Sequence, residues 1–307
     1  MSWSKLGQIW SPTGEKPWAR HSFMTPVPIQ IDANTIRVFG GVRDDAGVSR
    51  IAWIDVDRGN PQRVLAVAEK PTLDIGEPGM FDDNGVILGD VLRLSAQHLR
   101  MYYVGFQLVA KAKFLAYTGL AESHDNGETF TRVQPTPVID RAPNALFIAA
   151  LHSILPTENG YRAWIACGQR WELIDGIRYP QYNCWTVESP DGVTFDMTKA
   201  VKFLDVRGDE YRIGRPRVNR AGNAYELRVT SDTRDKLYSC HFATSSDGIT
   251  FTRSDLSELP RGGPSEWDGE MTCYPARLDT DQGESYLFYN GNGMGRTGVG
   301  VARWIGK

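Results

Sequence analysis

Leu99-Arg100-Met101-Tyr102-Tyr103-Val104-Gly105-Phe106-Gln107 reads as a strand, rich in aromatic and β-branched residues and closed by a polar one. Four other stretches match it: IRVFGGVRD from Ile36, YRAWIACGQ from Tyr161, YELRVTSDT from Tyr225 and YLFYNGNGM from Tyr286. The intervals between successive starts are 63, 62, 64 and 61 residues, too regular for unrelated strands, so the chain is built from a repeat.

Working outward, each anchor strand is followed by a second candidate, as in Arg50-Ile51-Ala52-Trp53-Ile54 and Asn183-Cys184-Trp185-Thr186-Val187. In the middle three units a turn comes next, Ser123-His124-Asp125-Asn126-Gly127, Ser189-Pro190-Asp191-Gly192 and Ser245-Ser246-Asp247-Gly248. Asn-Gly and Asp-Gly supply the positive φ of tight hairpins, and each turn leads into a phenylalanine, Phe130, Phe195 or Phe251, in a fourth short strand. Another strand-like segment lies ahead of each anchor. Four-stranded units set radially are the blades of a propeller. The expected fold is therefore all-β: a five-bladed β-propeller with four-stranded antiparallel blades, one domain over 1–307. The blades fall at about 15–70, 71–140, 141–205, 206–262 and 263–307 plus 1–14. The last unit ends at Trp304-Ile305 without a fourth strand, and Leu6-Gly7-Gln8-Ile9-Trp10 is spare, so the N-terminal strand is expected to close the last blade and remove an exposed edge.

Composition narrows the partners. Lys plus Arg number 34 against 37 Asp plus Glu, a net charge of −3, and no basic run stands out, which argues against nucleic acid and anionic membranes. No segment approaches 18 consecutive apolar residues and the N-terminus lacks a signal-peptide core, so a cytoplasmic location is expected. Cys167, Cys184, Cys240 and Cys273 form no C-x-x-C pair and read as buried thiols; no metal or cofactor is expected.

The inner strand of each blade precedes its anchor and lines a central channel, where a small-molecule site belongs. Counting back from the anchors, His21, Asp83, Glu210 and Glu270 fall 15 or 16 residues upstream, at one level. The third blade offers no ionisable group there; its nearest is His152. Carboxylates facing one another across a channel suit acid/base work on a glycosidic bond, with Asp83 and Glu270 the pair and Asp82 tuning or orienting its neighbour. Arg20, His21 and Arg215 suit a carboxylate, phosphate or sugar hydroxyls. Trp18, Trp171, Tyr179 and Tyr274 are candidate stacking platforms. Gly291-Asn292-Gly293-Met294-Gly295 reads as a wide turn at the channel mouth, bringing Asn290 or Asn292 to a ligand.

Taken together, the Ser-x-Asp-Gly-x-x-Phe hairpins, Phe81-Asp82-Asp83-Asn84-Gly85, Arg215-Pro216, Glu270-Met271-Thr272-Cys273-Tyr274-Pro275 and Tyr289-Asn290-Gly291-Asn292-Gly293 resemble five-bladed glycoside hydrolases and phosphorylases of families 43, 32, 68 and 130. They look most like a bacterial subgroup found beside surface-polysaccharide biosynthesis enzymes. The resemblance implies a carbohydrate or sugar-nucleotide ligand and a hydrolase, phosphorylase or transferase activity, with Asp82 and Asp83 similar to the family 43 modulator or acid. It departs at blade one, which has Arg20-His21-Ser22 where family 43 has an aspartate, and at blade three, which lacks the glutamate. Alternative readings are phosphorolysis, with Arg20, His21 and Arg215 holding phosphate, and a glycan-binding propeller without turnover.

Overall fold

Alternating apolar positions and Gly-containing turns give strands throughout a computed structural model that describes residues 3–306. Met1, Ser2 and Lys307, the outermost positions of the expected 1–307 domain, lie outside the described residues. The all-β expectation holds: besides the strands, the described residues form only a three-residue 3-10 turn, Met197–Lys199, and one helical turn, α1 (Asn292–Gly295). No helix among the described residues is long and apolar enough to cross a membrane.

The first strand, β1 (Trp3–Trp10), is set aside for the end of the chain. Next come β2 (His21–Gln30), β3 (Thr35–Arg43), β4 (Ser49–Asp57) and β5 (Val64–Val67), paired in that order and antiparallel. An eight-stranded sheet holds two such runs. One is β6 (Val86–Arg93), β7 (Leu99–Gln107), β8 (Leu115–Ser123) and β9 (Thr131–Arg132); the other is β10 (Ile148–Thr157), β11 (Gly160–Ile174), β12 (Ile177–Ser189) and β13 (Val201–Leu204). Their ladders merge into one sheet where Ile148 and Ala149 of β10 lie parallel to Ala116 and Tyr117 of β8. A further sheet is β14 (Glu210–Ala221), β15 (Ala224–Thr233), β16 (Tyr238–Ser245) and β17 (Thr252–Arg253). The last is β18 (Cys273–Asp279), β19 (Ser285–Asn290) and β20 (Val299–Trp304), completed by β1, which runs antiparallel to β20 from Trp3 opposite Trp304 to Trp10 opposite Val299. The expected pairing of the N-terminal strand with the last one is thus present.

The inner strands β2, β6, β10, β14 and β18 touch in a closed ring. Each carries a register break, near the middle of the first four at Thr25-Pro26, Gly89, His152 and Arg215-Pro216, and at the start of β18 at Tyr274-Pro275. Thr25, Arg215 and Tyr274 sit at φ of 56°, 57° and 56°. A left-handed residue costs roughly 1–2 kcal/mol, and a bulge followed by proline withdraws a donor from the ladder. These breaks turn side chains toward the channel axis.

The repeated hairpins join neighbouring units. Ser189 Oγ accepts from Gly192 N at 2.9 Å, and Asp191 Oδ1 accepts from Val193 N and Thr194 N at 2.8 and 2.7 Å. These backbone bonds draw the Asp191 carboxyl down to about 2. The Gly192 carbonyl then accepts from Tyr102 of the preceding unit at 2.7 Å, and the Gly248 carbonyl from Trp164 at 3.0 Å. Sequence repetition exists because each turn must fit the anchor strand of the unit before it.

Candidate active site

The inner strands begin at one end of the ring, where the pleat and the bulges leave a cavity of 540 Å³. Its floor is made by the bulges: Thr25, His152, Arg215 and Tyr274 all line it. Arg215 reaches across the axis, with Nη1 donating to Leu88 O at 2.6 Å and to His152 Nδ1 at 3.1 Å, and Nη2 donating to Thr25 O at 3.1 Å. Beneath it, Arg217 Nη1 donates to Asp90 Oδ1 at 2.6 Å and to His152 O at 2.7 Å. The two guanidiniums knit β14 to β2, β6 and β10. Burial first, and Arg215 and Arg217 next, push the His152 imidazole far below its ordinary range, so it is neutral and its Nδ1 is an acceptor. Burial, followed by Arg217, also draws Arg215 down to about 9.

The walls are aromatic and basic. Arg212 lies over the rings of Tyr211, Tyr238 and Tyr182 at 4.9, 5.3 and 5.5 Å, and ion-pairs with Asp232 at 2.6 Å. On the opposite wall Phe106 meets Phe114 edge-on at 5.2 Å. Trp171 stacks on Phe147 at 4.6 Å, behind the Phe114 ring it supports at 6.0 Å. Arg43, the last residue of β3, and the exposed Lys113 complete the basic lining; no carboxylate is part of it.

Of the residues expected in the channel, His152, Arg215, Tyr274 and Tyr179 line this cavity. Asp83 is half-buried next to Asn84, which lines it; its Oδ2 accepts from Gly79 N at 2.9 Å and its Oδ1 is buried without a hydrogen-bond partner among the described residues. Glu270 is exposed in the loop before β18, its backbone N–H donating to Asn292 Oδ1 at 2.9 Å. His21 pairs in register with Arg43 and bonds Ser22 Oγ at 2.8 Å, its pKa lowered by burial and then by Arg296 and Arg43. Arg20 turns outward to Asp45 at 3.2 Å, and Trp18 packs against the core with Lys16 over its ring.

Asp82 and Glu210 share their level with Asp83 but face elsewhere. Asp82 is fully buried and bonds Arg132 of the outer strand β9 at 2.7 Å. Glu210 is clasped by Arg253 of the outer strand β17, with Arg253 Nη1 at 2.9 Å from Oε2. Burial raises the Glu210 carboxyl, yet its bonds to Arg253 and to Arg207 N leave it below its usual range. A third pair repeats the pattern, Asp268 with Lys5 of β1 at 2.6 Å. These carboxylates recur in the sequence because each staples the start of an inner strand to the rim of its own sheet. The amides are used likewise: Asn290 bonds Thr25 N, Phe23 O and Gly298 O at 2.8, 2.6 and 2.7 Å, and Asn292 ties its loop to Glu270 N and Glu266 O. The glycine-rich turn reaches the cavity through Met294 instead. Away from the cavity, His98, Glu122 and His124 hold donor atoms within 4.8 Å of one another, the group among the described residues that could take a metal ion. Arg100 already neutralises that glutamate at 2.9 Å.

Arg43, Lys113, Arg212, Tyr182 and Tyr238 lay outside the sequence reading. Arg43 and Asp232 had a legible signal: anchors run antiparallel to inner strands, so the far ends of the anchors reach the mouth where the inner strands start.

No family model matches the chain. Two relatives from Mycobacterium tuberculosis, the uncharacterised proteins Rv1502 and MT1551, are each 31% identical over 307 residues, spanning 98% of this chain and 99% of theirs. Among solved structures, a glycoside hydrolase superposes with a TM-score of 0.75 at 14% identity, over 99% of this chain and 92% of its own. A β-1,2-mannobiose phosphorylase from Listeria innocua gives 0.73 at 11%, over 99% and 97%, and a thermostable family-43 glycoside hydrolase gives 0.69 at 14%, over 95% and 93%. At these identities the likeness is one of fold.

Proposed function

The chain belongs to the same family as Rv1502 of M. tuberculosis and has the propeller fold of glycoside hydrolases and phosphorylases; from that premise we propose that it acts on a glycosidic linkage of a glycan or sugar nucleotide held in the central cavity. We count its ring as five blades in a single domain over 1–307. The observation that carries the reading is the cavity itself: aromatic rings and a few convergent polar groups in a 540 Å³ depression at the mouth of the channel, the composition of a small-molecule site. Asp83 is the proton donor in this reading. It leads into Asn84, which lines the cavity, it has no cation partner among the described residues, and its buried Oδ1 is left without a hydrogen bond, so it is the carboxylate nearest the ligand that is not already held by the architecture. Glu270, exposed on the loop before β18, is the second carboxylate in this reading. Asp82 anchors the loop that carries Asp83. A setting beside surface-polysaccharide assembly is what the sequence resemblance implies.

The test is turnover across a panel of glycosides and nucleotide sugars, with and without inorganic phosphate, by wild type and Asp83→Asn. Wild-type turnover abolished in the variant supports the reading; unchanged turnover in Asp83→Asn removes Asp83 from it. Phosphorolysis is the second reading, favoured by the basic lining, and turnover that requires phosphate would select it.

A further inference from the structure

The cavity has a charge that its protein does not. The whole chain is net −3, yet Arg43, Lys113, Arg212 and Arg215 line the cavity with no aspartate or glutamate among the lining residues. Of the four, only Arg212 is ion-paired among the described residues, to Asp232. Three donors there lack partners. Arg215 is 5% exposed and Thr25 3%, and Arg215 Nε, Arg43 Nε and Thr25 Oγ1 are buried without a hydrogen bond among the described residues. Three other arginines near the inner strands are matched to buried carboxylates: Arg217 with Asp90, Arg253 with Glu210, Arg132 with Asp82. An arginine left unpaired in a partly dry cavity is costly unless something else brings the opposite charge.

We propose that the ligand of this cavity is an anionic saccharide, one whose own carboxylate or phosphate group is held by Arg43 and Lys113 above the Thr25 and Arg215 floor. This rests on the reading of the cavity as a glycan site and narrows it to uronic acids and phosphosugars. The sugar rings lie against the Tyr182, Tyr238 and Tyr274 side of the cavity. Arg43 supplies a planar fork that matches a carboxylate or phosphate. Lys113, exposed on the loop between β7 and β8, adds a mobile point charge at the entrance.

The experiment is a calorimetric and NMR titration of the full chain with glucuronic acid, glucose 6-phosphate, glucose and orthophosphate, repeated on Arg43→Gln, on Lys113→Gln and on Arg63→Gln as a control on a 69% exposed side chain. A charge-assisted hydrogen bond corresponds to roughly tenfold or more in affinity. Glucuronic acid or glucose 6-phosphate is expected to bind at least tenfold more tightly than glucose, with affinity falling as salt rises. Arg43→Gln and Lys113→Gln collapse that preference while Arg63→Gln keeps it. Preference for glucuronic acid over glucose 6-phosphate, or the reverse, identifies which anion the site is built for. Should Arg43→Gln fail to fold, the exposed Lys113 carries the test. Glucose binding as tightly as its charged counterparts overturns the proposal and leaves the glycan reading standing. Glucose binding only in the presence of orthophosphate also overturns it, in favour of phosphorolysis. No binding by any of the four sugars and anions overturns both.

Discussion

Two sets of charges surround the same inner strands and are handled in opposite ways. In the loops and strand starts that precede β6, β14 and β18, Asp82, Glu210 and Asp268 are buried and each is met by a cation from the outermost strand of its own sheet. Arg43, level with the start of β2, and Arg215, at the bulge of β14, present donors to a cavity without a single carboxylate in its lining. A matched pair neutralises both desolvated charges and so belongs to the architecture. An unmatched cation in a concavity adds little to folding and is poised for a ligand. The contrast also separates neighbours in sequence: each keeps a buried Oδ1 without a hydrogen bond, but Asp82 is stapled to Arg132 while Asp83 meets no cation among the described residues.

The largest effect that could break this division is catalytic. Asp83→Asn is expected to lower turnover by about 10²–10⁴-fold with an unchanged thermal transition, whereas Asp82→Asn shifts the transition itself. Steady-state rates and melting curves on the two variants check it, and the reverse pattern would exchange their roles. Next is the staple. Arg253→Ala leaves Glu210 buried with its main partner gone and should cost about 3–5 kcal/mol in urea unfolding, against under about 1 kcal/mol for Arg43→Gln. Equal losses would erase the distinction between architecture and site.

Acid should follow. Burial, then the Arg253 charge, holds His241 down at about 4, the nearby Glu210 only partly opposing them, and His152 lies well below its ordinary range. Folded pKa values below the unfolded value of about 6.5 mean that the unfolded chain takes up more protons below that pH. The stability from both groups is therefore complete above pH 6.5 and is lost as pH falls toward 4. Each group is expected to remove at most about 2 kcal/mol between pH 6.5 and 5. A flat stability profile over that window would contradict the neutral-imidazole floor, and His241→Asn should shallow the slope. Smaller still is Ser189→Ala, which leaves Gly192 N without its acceptor at about 1 kcal/mol, read from the urea midpoint. The smallest effect is none at all: Cys167, Cys184, Cys240 and Cys273 are buried, and burial raises Cys240 to about 12. A disulfide reagent should label no thiol of the native protein and all four in denaturant.

The architecture was legible because its determinants are local and repeat. A strand period, a Ser-x-Asp-Gly turn and a spacing near 62 residues can be read along the chain, and the all-β class, the antiparallel sheets and the pairing of β1 with β20 follow. The same repeat was a poor guide to facing. It located His21, Asp83, Glu210 and Glu270 at one height, with Asp82 beside them, but a residue's height along a strand does not say whether its side chain points to the axis or to the rim. That depends on bulges such as Arg215-Pro216 and on partners such as Arg132 and Arg253, which lie 50 and 43 residues away from the carboxylates they meet. Sequence by itself determined that this chain repeats, turns and closes on its own first strand. Only the tertiary structure decided which charges cancel, because burial and ion pairing are properties of the assembled ring, and it left the cavity at its centre basic in an acidic protein.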